Sequence, residues 1–314
     1  MTTFKEFSDV PVVGDMPVDQ AVVKLREIGE NEVADALEAQ QPARGVAETF
    51  GSLSDLFALL KQSPPPYLNT AHVYGYLAPD QGGSKVLPIK HAGDMSGDPQ
   101  LKNARLRITL NHLRVAKYPG NGIHHILLDF SARNQVQGNT EEALHFNMTF
   151  RAYDGEAVAA IGYPIFIGLN VGSEGVSFGC KTVNVQNDDD QKFLEFLDSE
   201  VFKVGLRLVS TLQPAIAPLT GMAVGLTKSI AQRHQNVSVQ EFSMGLDFSD
   251  DPAGARLAEG SYLAVQVPQQ DQLIWDWDEW QFDRSSGQVV NKTNSSQLIP
   301  YNYIIFGITK YEGT

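Results

Sequence analysis

Residues 104–116 read ARLRITLNHLRVA. Leu106, Ile108 and Leu110 alternate there with Arg105, Arg107 and Thr109. Successive side chains of a strand point to opposite faces, so a period of two predicts a strand with one buried and one wet face. The pattern extends outward on both sides. Residues 67–78 (YLNTAHVYGYLA), 124–136 (HHILLDFSARNQV), 144–154 (LHFNMTFRAYD) and 159–172 (AAIGYPIFIGLNVG) are short runs with partial alternation. Gly, Asn, Asp and Pro clusters separate them. Strand-like runs return after residue 236: VSVQEFSMGLDF (237–248), SYLAVQVP (261–268), LIWDWDEWQF (273–282), GQVVNK (287–292) and YNYIIFGITKY (301–311). Many short strands with such punctuation predict an antiparallel β-sandwich, here flanked by helices: an α+β, β-rich fold.

Helical signals frame this pattern. Residues 18–40 carry Val22, Leu25, Ile28, Val33, Ala36 and Leu37 at near-helical spacing, with Asp19 as an expected cap. A second short helix is predicted at 52–62. SPPPY (63–67) then stops it, because proline cannot continue a helix and extends its predecessor. Residues 1–66 therefore read as a helical N-terminal segment with a Pro-rich linker, expected to lie against the main unit. Residues 67–314 read as the sandwich, with a helical insertion at about 190–234. Within it, 208–227 is a run of twenty residues without charge, holding Gly221 and Gly225 as a GxxxG. Its length suits a bilayer. Pro214 and Pro218 interrupt it, which fits buried helices of a protein core better.

The chain has 314 residues, with Lys+Arg 24 against Asp+Glu 37, a formal charge of -13. That balance argues against a nucleic-acid partner and against purely electrostatic adsorption to anionic lipid. Cys180 is the only cysteine, which excludes an internal disulfide and a Cys-based zinc site. The opening MTTFKEFSDV has neither a basic region nor an apolar run, so a cytoplasmic, bacterial setting is expected, with export lacking a cleaved signal kept open. The sequons at Asn147, Asn236, Asn291 and Asn294 are then expected to carry no glycan.

Catalytic motifs are sparse. GxxxxGK[ST] and HExxH are absent, and GNGIHH (120–125) has only part of a dinucleotide fingerprint. His124 or His125 with Asp129 could serve a hydrolase given a distant nucleophile. The plainer reading is one surface and one half-buried histidine. Cys180 sits in the alternating run VSFGCKTVNV and is expected to be buried rather than reactive.

The unusual stretch is LIWDWDEWQFD (273–283), which holds every tryptophan of the chain beside Asp276, Asp278, Glu279 and Asp283. On a strand, Trp275 and Trp277 share one face, and a bulge near Glu279 would bring Trp280 to them. The acids allow calcium, which takes six to eight oxygens. IWDWD followed by Asp283 resembles the third calcium loop of C2 domains. That resemblance implies Asp276, Asp278 and Asp283 as ligands, with Asp247 and Asp251 from a facing loop. The spaced tryptophans after VP are also similar to the aromatic loop of actinoporins. This implies a cation–π cage for phosphocholine built from Trp275, Trp277, Trp280 and Tyr262. Three expectations result. The first is a non-catalytic binding or effector protein presenting acidic and aromatic loops to a protein, lipid-headgroup or sugar partner, with calcium possible and no cofactor required. The second is a membrane-acting, pore-forming-like protein inserting 201–233. The third is the hydrolase.

Overall fold

The computed structural model describes residues 6–39, 53, 54, 57, 63–79, 82–136, 140–197, 205–208, 216–249 and 254–313. Two helices come first, α1 (Val18–Glu27) and α2 (Asn31–Glu38). Gly29 has φ of 83° and ends α1, so the predicted helix over 18–40 is two helices with a left-handed residue between them. Pro17, not Asp19, holds the N-cap position; Asp19 lies in the first turn, where the helix dipole favours an acid. Of the helix expected at 52–62, only Leu53, Ser54 and Phe57 fall among the described residues, and all three are helical and buried.

The strands follow: β1 (Ala71–Leu77), β2 (Val86–Pro88), β3 (Lys90–His91), β4 (Arg105–Arg114), β5 (His124–Val136), β6 (Thr140–Ala152), β7 (Ala157–Asn170) and β8 (Val176–Val185). Then come α3 (Asp188–Leu197), β9 (Leu206–Arg207), α4 (Ile216–Ala231), β10 (Asn236–Asp247), β11 (Ala255–Arg256), β12 (Gly260–Val267), β13 (Trp280–Asp283), β14 (Gln288–Asn291) and β15 (Tyr303–Lys310). A seven-stranded sheet has the order β3-β1-β12-β15-β4-β7-β9, and a five-stranded sheet the order β11-β10-β8-β5-β6. A small third sheet is β14-β13-β2. Among the described residues every pairing is antiparallel except the short β7–β9 and β10–β11 contacts.

The two large sheets face each other. Leu106, Ile108 and Leu110 of β4, Phe306 of β15 and Tyr262 of β12 meet Phe130 of β5, Phe178 of β8 and Phe242 of β10 in one apolar cluster. Phe178 and Phe306 approach to 4.4 Å between ring centroids at its centre. The alternation read over 104–116 therefore places its apolar set inward, while Arg107 is exposed. Cys180 is buried in the same layer, and burial pushes its thiol up, which makes it a poor nucleophile. Strand β7 contains Pro164 yet runs inside the sheet. Its pairing with β4 shifts register at Leu106/Arg107, Ile108/Thr109 and Leu110/His112. Proline has no N–H to give the ladder, and such irregularities are where a sheet interior accepts one.

Each large sheet also has an outer face. That of the seven-stranded sheet, including Val73, Leu77, Leu263, Val265 and Ile305, is covered by the small sheet and the segment before it. That of the five-stranded sheet is covered in part by α3 and α4, whose Leu194, Ile230 and Ala231 pack on Leu127, Val183 and Val185. The N-terminal helices join the inter-sheet cluster through Ala21, Leu25, Ala34 and Leu37. Of the uncharged run 208–227, residues from Ile216 onward lie on α4, with Pro218 in the first turn, where its missing N–H does no harm. Among the described residues no helix is long and apolar enough to cross a membrane.

Candidate functional site

Three places gather the chemistry. The first is the tryptophan segment. The strand expected over 273–282 begins only at Trp280. Before it, the chain makes a tight 3₁₀ turn at Gln269–Asp271, runs through an irregular stretch, and makes another 3₁₀ turn at Trp277–Glu279. The Asp276 carboxylate caps the second turn by accepting from the Asp278 amide at 2.7 Å. This turn does the work expected of a bulge, bringing all three indoles to one side. Trp275 lies 5.5 Å from Trp277, edge to face, and 6.1 Å from Trp280, with ring planes only 9° apart. Tyr301 joins at 5.9 Å. Trp277 and Trp280 are buried; Trp275 is partly exposed. Trp277 lies over Gly75 of β1, where a Cβ would stand 2.9 Å from its ring. A glycine in that strand is what lets an indole rest on the sheet.

The rings contact one another, so no cation fits between Trp275 and Trp280 as they stand. Tyr262 is not with them. It points to the opposite side of β12, into the inter-sheet core, where it stacks on Phe306 at 5.6 Å and donates to the Arg256 carbonyl at 2.8 Å. Alternation along β12 explains the correction: Tyr262 has the parity opposite to Leu263 and Val265, which face the tryptophan layer. Two residues that sequence reasoning assigned to a strand come out instead as the tip of the segment. Leu273 and Ile274 are 93% and 77% exposed, beside Asp271, Asp276, Asp278 and Glu279.

The candidate calcium ligands are spread over two layers. Asp276 is occupied as a cap, and Asp278 stands 3.4 Å from Lys292. Asp283 accepts from the Ser285 hydroxyl and amide and from Ser286, and these hydrogen bonds, the Ser285 hydroxyl first, hold its pKa below the usual carboxylate range. Asp247 ends β10 in the five-stranded sheet, where it accepts from Ser249 and pairs with Arg256 at 3.3 Å. The seven-stranded sheet stands between it and the other three. Asp251 lies outside the described residues. Among the described residues no three His, Cys, Asp or Glu side chains gather as metal ligands.

The third place is the outer face of the five-stranded sheet. Asp129 does not meet His124 or His125, as expected for a hydrolase. His124 is buried between the sheets' end and the loop after β6, its Nε2 2.9 Å from Asp154 and its Nδ1 3.3 Å from Asn184. Burial would raise the Asp154 carboxyl, but hydrogen bonds from His124, Lys117 and the Tyr118 amide outweigh it and hold the pKa at about 2. His125 points to the other face of β5 and is partly exposed. The histidine that engages Asp129 is His145, with Nδ1 2.6 Å from Oδ1. Asn147 donates to Oδ2 at 3.1 Å and Thr227 of α4 at 2.9 Å. All four side chains are buried. A signal for His145 was available: folding the runs 124–136 and 144–154 about 137–139 puts Asp129 opposite Asn147 and Ser131 opposite His145, which is the observed register.

Lys181, opposite Asp129 on β8, is also buried. Its Nζ donates to Glu241 of β10 at 2.6 Å and to the Val10 carbonyl at 2.7 Å, and stands 5.3 Å from the Phe7 ring. Acid, base and acid thus sit side by side on three neighbouring strands, the cross-strand arrangement that opposite charges favour. Beside them a cavity of 170 Å³ is lined by Ser131, Lys181, Glu241, Ser243 and Phe7. Farther along the same strands lies a cleft of 530 Å³.

No protein-family model, curated protein or solved structure matches this chain.

Proposed function

We propose that the protein is a non-catalytic binding protein whose 271–279 segment docks into an apolar socket with a basic rim on a protein partner. The observation that carries this reading is the exposure of Leu273 and Ile274, 93% and 77%, at the tip of an otherwise anchored segment. Two neighbouring large aliphatic side chains in water stand out when the residues next to them are fastened to the fold. Here Trp275, Trp277, Trp280 and Tyr301 form the footing. A footing of this kind limits the ordering entropy lost on binding. The four acids around the tip supply the complementary charge, which steers a basic partner and repels anionic lipid. Under this reading the acids set partner choice and the indoles set rigidity.

The test is a phage-displayed random peptide library panned on the full chain and counter-selected on the Leu273→Asp/Ile274→Asp double variant. Enriched peptides that join aliphatic or aromatic residues to Lys and Arg, lose affinity in high salt and fail on the variant support the reading. Enrichment indifferent to the variant, or none, overturns it. Sedimentation with phosphatidylcholine vesicles that depends on Leu273 and Ile274 would replace the protein socket by a bilayer surface. A melting temperature of the variant equal to that of the parent chain keeps misfolding out of the comparison.

A further inference from the structure

The outer face of the five-stranded sheet changes character along its length. Under α3 and α4 it presents Leu127, Val183 and Val185. Beyond Asp129 and Lys181, the positions of the same parity are Ser131, Arg133 and Gln135 on β5, Gly179 and Ser177 on β8, and Ser243, Gly245 and Asp247 on β10. Small and polar side chains thus replace the aliphatic ones on a continuous surface. A sheet face meant only to be covered by another element reads as apolar. This part faces water or a polar ligand.

The cleft of 530 Å³ lies at that end, lined among others by Arg133, Gln135, Glu141, Ser177, Asp247 and Phe248. Its volume is in the usual range of small-ligand sites, roughly 300–1,000 Å³. The wall is fixed by Gly175, with φ of 117°, where a Cβ would stand 2.0 Å from the Leu246 carbonyl oxygen, so only glycine fits. Its charges balance without a ligand: Lys102, Arg133 and the adjoining Arg256 stand against Glu141, Glu174 and Asp247. Arg133 stands 3.6 Å from Glu141, Asp247 3.3 Å from Arg256, and Lys102 5.2 Å from the centroid of the Phe248 ring. An anion would need surplus cations here, and a free cation would need surplus acids. What the cleft offers is donors and acceptors side by side: guanidinium, amide, carboxylate and hydroxyl groups around one aromatic ring. A sugar's vicinal hydroxyls donate and accept at once and match such a set without adding charge.

We propose that this cleft is a saccharide-binding site, separate from the 271–279 tip on the other side of the molecule. The test is saturation-transfer NMR on the full chain with glucose, galactose, mannose, N-acetylglucosamine and their disaccharides at millimolar concentration. Inorganic phosphate and diglycine serve as charged comparisons, followed through thermal shift. Transfer to at least one sugar is expected, weakened at least tenfold in Ser177→Trp, which fills the cleft, and in Gln135→Leu, which removes a donor and acceptor without added bulk. Binding is expected to be unchanged in the Leu273→Asp/Ile274→Asp variant, so this site and the tip fail or hold independently. No transfer to any of these sugars overturns the proposal. So does transfer that survives in both folded cleft variants, or a thermal shift with phosphate or diglycine alone.

Discussion

The seven-stranded and five-stranded sheets each have a second face to cover, and the two coverings differ in chemistry. On the seven-stranded sheet the cover is a small sheet and a tryptophan-rich segment, and the contact is mainly apolar, with His112 against Phe282 and the Val289 amide donating to the Tyr303 hydroxyl. On the five-stranded sheet the cover is helical. Part of the contact is a buried polar set, Asp129 with His145, Asn147 and Thr227, and beside it Lys181, under Phe7 and Val10, pairs with the half-buried Glu241. Apolar contact tolerates imperfect geometry because it has no directional demand. A buried polar set holds only while every partner is present, since each orphaned group keeps its full desolvation penalty. The first cover should therefore yield gradually to substitution and the second abruptly.

The largest loss is expected from Asp129→Ala. It leaves three buried donors facing a methyl group, and the expected loss is about 3–5 kcal/mol in urea unfolding. A loss no larger than that of an ordinary aliphatic truncation would show the polar cover to be as forgiving as the aromatic one.

Acid provides the next effect. His72 of β1 is buried against Phe242, with ring centroids 5.5 Å apart, and burial pushes its pKa down to about 4 from the usual 6.5. The folded state holds it neutral while the unfolded chain takes up a proton, so stability is full above about 6.5 and falls as the pH drops towards about 4. The limit of this loss is on the order of 3 kcal/mol. Replacing His72 by Phe should flatten that part of the acid limb, read by urea unfolding at several pH values. His72 lies in the shared core, so its titration separates interior acid sensitivity from any that comes from the polar cover.

On the apolar side, Gly75→Val forces Trp277 off the sheet. An overpacking loss of about 1–3 kcal/mol is expected, with a red-shifted tryptophan emission. The smallest effect is at the tip. Leu273→Asp with Ile274→Asp should change stability by less than about 0.5 kcal/mol, because neither side chain is buried. A large loss there would mean that the tip supports the aromatic cover rather than projecting from it.

How much was legible in advance differs between these regions. The strand of residues 105–114 was readable because Leu106, Ile108 and Leu110 obey a period that the pleated backbone imposes locally. The β5–β6 pairing could have been read as well, from two long runs about a short break, and with it the meeting of Asp129 and His145. The segment 273–279 was misread as a strand. Its aromatic content favours strands, but the Asp276 side chain hydrogen-bonds the backbone two residues on and offers it a turn instead. Leu273 and Ile274 fell within that strand-like run, and a sequence does not show what stands opposite them.

Taken alone, the sequence determined the β-rich class, the helical frame, the absence of disulfides and the acidic surface, since these follow from composition and short-range periodicity. The tertiary structure alone decided which groups meet. Tyr262 turned away from the tryptophans by strand parity, Asp247 was separated from Asp276, Asp278 and Asp283 by a whole sheet, and Lys181 was placed between Asp129 and Glu241 by the order of three strands. The physical reason is that side-chain direction is set within a few residues, whereas convergence depends on register and layer order, which are fixed by contacts between segments far apart in the chain.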